Sequence, residues 1–370
     1  NFTYGSNAVT NTFAKNFYLG NFLSDEEKES VIDQLTSINR VGIILQNKLN
    51  FTISDFNKNR KHLISIQQYT GINSKFNATL FKLFFKGNKQ FAGLNATISP
   101  FSYNQIQYQS LGYTISTQYG SLVNSKESAL GVNIIKGQSF QQIATNNASL
   151  YTAIDGSQLN LELSALIRSS DSSKQNFNSW NGTGLSFDFF HAIKDKQNYI
   201  QFAISQLGFI RWNSDANFLR TNKNFIYEGI YINDLFSLSD SILQQINDSL
   251  TLKPYLDTNT KKGYTALMPA TISVGYQYTS DEGNKIQANV LHRLASNFFP
   301  EIVVHYLFNF NHIMAGPNLI MGGYTTANAG ALVGYHSKYL NFQLSANYLL
   351  STFSSRGNGI HAGLTLSTNF

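Results

Sequence analysis

Stretches in which apolar and polar residues alternate one by one recur along the whole chain, and no other feature restricts its fold as tightly. Leu340, Phe342, Leu344, Ala346, Tyr348 and Leu350 share one face, and Asn341, Gln343, Ser345 and Asn347 share the other. The next run sets Ile360, Ala362, Leu364, Leu366, Thr368 and Phe370 against His361, Gly363, Thr365, Ser367 and Asn369. Period two is the signature of a strand whose two faces meet different surroundings. Leu159, Leu161, Leu163, Ala165 and Ile167 repeat it, as do Ile272, Val274, Tyr276 and Tyr278. Ile302, Val304, Tyr306, Phe308 and Phe310 oppose Val303, His305, Leu307 and Asn309, so part of the inner surface is expected to be packed and apolar. Val41, Ile43, Leu45, Leu49, Phe51 and Ile53, interrupted only by Asn47, predict the first full strand.

Charged residues make up 13% of the 370, against roughly 25% in an ordinary soluble domain. A surface so poor in charge expects surroundings other than water. No apolar run approaches the roughly 20 residues of a membrane helix, so a chain of this kind spans a bilayer only as a closed barrel that leaves no edge unpaired. The fold class read from these features is all-β: a transmembrane antiparallel β-barrel of about fourteen strands, with twelve and sixteen as neighbours, and a short helical N-terminal segment. Phe370 would then sit at the membrane interface of the bacterial outer membrane. The lack of cysteine removes thiol catalysis and thiolate metal sites, and it suits an exported protein. A start at Asn1 without a leader suggests a removed signal peptide. The net charge of +6 is spread among turn residues and not gathered on one face, so nucleic acid is not an expected partner. Outer-membrane lipids and lipopolysaccharide are, together with other outer-membrane proteins or lipoproteins.

Residues 1 to 40 lack the alternation. Ser24 and Glu27 have capping-box spacing, Asp25 and Glu26 suit a helix N-terminus, and Val31, Ile32, Leu35 and Ile38 share a helical face. This predicts a short amphipathic helix that plugs the barrel mouth, lines the inner wall, or packs on a partner, in that order. The barrel is expected from residue 41 to 370, with an insertion near 233 to 268 where Leu238, Ile242, Leu243 and Ile246 have helical spacing. The segment Phe76 to Phe85 fits neither period cleanly and reads as a lumenal helix or a strand buried on both sides.

Chemistry-bearing motifs are sparse. The seven histidines include no H-x-x-x-H or H-E-x-x-H pair, so neither a metal nor another cofactor is expected. No ordered Ser, His and acid set points to an enzyme. The lumen-facing candidates are Glu162, Arg168, His305, Asn341, Gln343 and Asn347. Glu162 and Arg168 would either narrow a pore or form a structural ion pair across it. Trp180 and Trp212 are read as members of an interfacial aromatic girdle.

At Leu80–Asn88 (LFKLFFKGN), Lys136–Ile143 (KGQSFQQI) and Gly208–Asn213 (GFIRWN) the chain resembles a family of Bacteroidota outer-membrane barrels of undefined function. More distantly, through its capped N-terminal helix, it is similar to the fatty-acid transporter barrels, which have fourteen strands and an N-terminal hatch. It departs from them in lacking Asn-Pro-Ala at Asn1. The resemblance implies an outer-membrane location and no catalytic residues. Together these features predict a passive conduit for small apolar or amphipathic molecules, or else a non-enzymatic barrel subunit of a larger secretion or assembly complex.

Overall fold

The computed structural model describes residues 1–55, 59–121, 123–171, 177–228 and 260–368. Chain order runs β1 (Phe2–Ser6), α1 (Asn11–Leu19), α2 (Asp25–Ile32), β2 (Ile38–Ser54), β3 (Arg60–Asn77) and α3 (Ala78–Lys86), followed by a 3-10 turn at Lys89–Phe91. There follow β4 (Asn95–Thr97), β5 (Phe101–Gly120), β6 (Asn124–Thr152), β7 (Leu159–Ser169), β8 (Gly182–Asp195), β9 (Asn198–Trp212) and β10 (Asn217–Tyr227). The rest comprises β11 (Thr260–Lys261), β12 (Thr265–Leu267), β13 (Thr271–Thr279), β14 (Lys285–Arg293), β15 (Glu301–Phe310), β16 (Ile313–Gly322), β17 (Ala327–His336), β18 (Leu340–Ala346), α4 (Leu349–Phe353) and β19 (Gly359–Thr368).

Antiparallel pairing closes a ring of fourteen strands in the order β1, β2, β3, β5, β6, β8, β9, then β13 to β19 and back to β1. β1 closes it, pairing Phe2 with both Leu45 and Ala362. Two long strands, β7 and β10, lie outside the ring. They continue the sheet from the distal half of β6, where Gln141–Thr152 pairs with β7 and β7 pairs with β10. β1 is too short to show alternation, and it supplies the last member of the ring. The insertion helix expected near Leu238 to Ile246, and Phe370, fall outside the described residues.

Which face points outward follows from exposure. Odd residues of β2 such as Leu49 (55% exposed) and Phe51 face out, while Ile44 is buried. On β19 Leu364 and Leu366 are exposed opposite Gly363 and Thr365. Leu130, Val132 and Ile134 on β6, Leu185 and Phe187 on β8, and Ile302 to Phe310 on β15 continue the band around the wall. A continuous belt of this extent requires a lipid cover. Among the described residues no helix is long and apolar enough to cross a membrane.

The two ends of the barrel differ. At one end the ring strands are joined by short connections, among them 55–59, 196–197, 280–284, 311–312 and 337–339. At the other, connections such as 7–37, 78–100, 213–270 and 347–358 are longer, and they carry the four α-helices of the described residues. The wall is also taller on one side: β5 has 20 residues and β6 has 29, against 10 each in β15, β16, β17 and β19.

Candidate functional site

The lumen is closed at the long-connection end by packed side chains. Ile44, Tyr69, Ile106, Tyr108, Ile135, Phe140, Ile210 and Trp212 point inward from β2, β3, β5, β6 and β9 and join one buried cluster with Tyr264, Met268, Phe298 and Tyr324. The last four come from connections folded into the mouth. Ring contacts tie the layer together: Tyr69 lies 5.0 Å from Tyr108, Phe140 is 5.4 Å from Trp212, and Phe298 meets Tyr324 edge-on at 5.0 Å. Glycines on the wall make room for these rings. A Cβ at Gly42 would stand 2.1 Å from the Tyr324 ring, and one at Gly137 2.9 Å from Trp212. Arg40 holds the Tyr324 connection in place, donating from Nε to Gly323 O at 3.0 Å and from Nη2 to Thr325 O at 3.2 Å. Val303 and Leu307 are buried on the inner face with Ile320 and Leu332, so the apolar inner patch expected at 303 and 307 is present. Trp212 is 1% exposed within the closure and is not a girdle residue; its position in the inner row of β9 sets its role.

Below the closure the inner surface becomes polar. A cavity of about 100 Å³ lies among Lys48, Gln67, Asp188, Gln206, Thr271 and Arg293, under Tyr69 and Tyr108. It shares Lys48, Asp188 and Ser205 with a wider vestibule of about 330 Å³ that runs past Leu63, Phe190 and Ala203 to Thr52, Lys61, Ser116 and Glu127 near the short-turn end. The interior is thus a cup, open at the short-turn end and shut at the other.

Four of the six lumen candidates lie on the inner face. His305 is buried there with Nδ1 unpartnered, between Gln287 and Asn318 in register. Asn341 Oδ1 meets His336 Nδ1 at 3.3 Å, Gln343 is open to the lumen opposite Thr365, and Asn347 Oδ1 accepts from Asn318 Nδ2 at 3.0 Å. Glu162 and Arg168 stand elsewhere, because β7 is not a ring strand. Arg168 lies over the outer surface of the closure, its guanidinium 5.2 Å from Tyr264 and donating from Nε to Gln142 Oε1 at 2.8 Å. Glu162 is exposed beside Ser149, and the two form no ion pair among the described residues. Alternation placed them on a common face of β7, but it carries no information on whether a strand belongs to the ring.

The N-terminal helices pack on the outside of the wall. Val31 and Phe13 join Phe76 and Phe81 in a second cluster with Ile32, Leu35, Val41 and Phe101. By strand alternation Val41, Phe76 and Phe101 all belong to the outward face. Neither of the first two lumenal placements expected for this helix holds. The capping box is present, with Ser24 N–H donating to Glu27 Oε2 at 2.9 Å and Glu27 N–H to Ser24 Oγ at 3.2 Å. The Ser24 amide holds the Glu27 carboxyl below its usual range, and a hydrogen bond and the charge of Lys28 do the same for Asp25. The helix ends at Ile32, so Leu35 sits in the following turn and Ile38 opens β2. Phe76 to Phe85 is mostly α3: Asn77 caps it, accepting from Leu80 N–H at 2.8 Å, and Phe76 stacks on Phe81 across the cap as a hydrophobic staple. Lys86 bridges to α2 through Glu29 Oε1 at 2.7 Å, which raises the lysine pKa.

With this geometry in view, a match to a family of unknown function, DUF5723, extends over residues 1–347, from β1 to the end of β18. The chain belongs to that family. Comparison with curated proteins gives no match. Among solved structures this DUF5723 member is similar to the copper transporter OprC at 8% identity and a TM-score of 0.22, covering 85% of this chain and 57% of that one. A likeness that slight carries no argument. The residues that close the lumen of this DUF5723 chain escaped sequence reading for three reasons. Tyr69 and Tyr108 sit in inner rows with Gln67 and Ser110, Trp212 ends a strand beyond Gly208 and Ile210, and Phe298 and Tyr324 lie in connections with no period at all. The wall glycines facing them, Gly42 and Gly137, were the available signal.

Proposed function

We propose that the protein resides in the outer membrane of a bacterium, within the Bacteroidota type of barrel its sequence resembles, as a non-enzymatic component of a larger secretion or assembly complex. The observation that carries this reading is the closed lumen, which is filled, among the described residues, by the wall's own side chains together with Tyr264, Met268, Phe298 and Tyr324 from the connections. Short turns face the periplasm in barrels of this class, which sets the helical end outward. That end carries an unusual display of exposed apolar residues: Phe17, Tyr18, Leu19 and Phe22 around α1, Phe84 on α3, and Leu350 and Phe353 on α4. Extraction from the native membrane in mild detergent tests the reading. A stoichiometric co-purifying protein that is lost from the variant Phe22→Ser/Phe84→Ser is expected; a lone barrel under the same conditions contradicts it.

The passive conduit for small apolar or amphipathic molecules is the second reading, and the vestibule favours it. The closure relies partly on two connections, 294–300 and 323–326, held by a few hydrogen bonds, among them Asn297 N–H to Asn73 Oδ1 at 3.1 Å and the two from Arg40. Movement of these connections, and not of residues 1 to 40, would open a path.

A further inference from the structure

Lys48 and Arg293 supply positive charge to the polar cavity beneath the closure, and neither has a carboxylate within ion-pair distance among the described residues. Asp188 lines the same cavity, but neutral donors occupy its oxygens: Gln206 N–H reaches Oδ1 at 2.7 Å, and Asn133 Nδ2 reaches Oδ2 at 2.9 Å. Glu301 lies within electrostatic reach of Arg293 but beyond ion-pair distance, and its carboxylate accepts from the Tyr348 hydroxyl at 3.1 Å. Arg293 is held from two sides, by the Phe298 ring 5.4 Å from its guanidinium carbon and by Thr271 Oγ1, which accepts from Nη1 at 3.4 Å. Its Nε is buried without a partner, as is Gln206 Oε1. An oriented guanidinium with an unused N–H beside a mobile ammonium is the donor set that recognises oxyanions.

We propose that this cavity binds the oxyanion group, carboxylate or phosphate, of a small molecule entering from the short-turn end, held between Lys48 and Arg293. The inference goes beyond the proposed function and holds whether the lumen stays closed or opens. The cavity's volume of about 100 Å³ takes one such group. Leu63, Phe190 and Ala203 in the adjoining vestibule give an apolar seat for a short tail directed toward the mouth.

Isothermal titration of the full chain in an uncharged detergent, with inorganic phosphate and separately with hexanoate, tests this. Saturable binding of at least one probe is expected, weakened tenfold or more by Lys48→Gln and by Arg293→Gln and unchanged by Lys196→Gln at the rim. Tighter binding of phosphate identifies a free inorganic anion as the natural class; tighter binding of hexanoate identifies a tailed carboxylate. Heat-modifiable migration in gels verifies that each variant is folded. Lys48 faces the open vestibule and makes no hydrogen bond or ion pair among the described residues, so its variant remains informative if the arginine variant does not fold. The absence of saturable binding of either probe, binding unaffected by Lys48→Gln, or equal weakening by Lys196→Gln would each overturn the proposal.

Discussion

The smallest scale at which this barrel is specified is the pairing of an inner glycine with an aromatic ring. Gly42 leaves no room for a side chain beside Tyr324, so Gly42→Ala must displace the ring that Phe298 packs against. Overpacking of this kind costs about 1–3 kcal/mol, and denaturant unfolding in lipid vesicles is expected to register it. Trp212→Ala removes the largest fully buried side chain and should cost about 3–5 kcal/mol in the same assay. Titration belongs to this scale too. Glu27 lies on an exposed helix with its folded carboxyl held below its ordinary value by the Ser24 amide. Its contribution to the cap is therefore complete above that ordinary value and disappears as the pH falls through the lowered one. Amide exchange at residues 25 to 32 should accelerate over that acid range in the wild type and be insensitive to it in Glu27→Gln.

At the scale of elements, alternation made the ring strands legible because each separates two environments along its whole length. The run from Ile302 to Phe310 falls within β15, and that from Ile272 to Tyr278 within β13. The same signal fails where geometry beyond the single strand decides the outcome. β7 alternates as well as any ring strand, yet it pairs with the overhang of β6, so Glu162 and Arg168 stand outside the lumen. β1 has only five residues and acquires its place from two neighbours. The α3 segment was ambiguous because Leu80, Phe81, Phe84 and Phe85 wrap around more than one face; Phe81 and Phe85 pack on Phe13, while Phe84 is exposed. Asn77→Ala should destabilise α3 by about 1 kcal/mol through loss of its cap, read as faster amide exchange over residues 78 to 86. On the wall, Leu130→Arg on the outward face should cost about 2–4 kcal/mol if it lies near the bilayer midplane. Gln343→Arg, facing the lumen, should leave vesicle stability nearly unchanged.

For the whole molecule the consequence is a barrel with opposite ends of different character: a polar, open cup at the short turns and a packed, helix-bearing cap at the long connections. The membrane-facing exterior was readable from sequence, since lipid contact requires every outward residue to conform. The closed interior was not, since it depends on which residues of distant strands and connections reach the same level of the barrel, and no single segment records that. The most direct test is single-channel recording of the purified protein in a planar bilayer. The closed lumen predicts a silent wild type and discrete conductance steps only after Phe298→Ala and Tyr324→Ala are combined; steady conductance through the unaltered protein would contradict it.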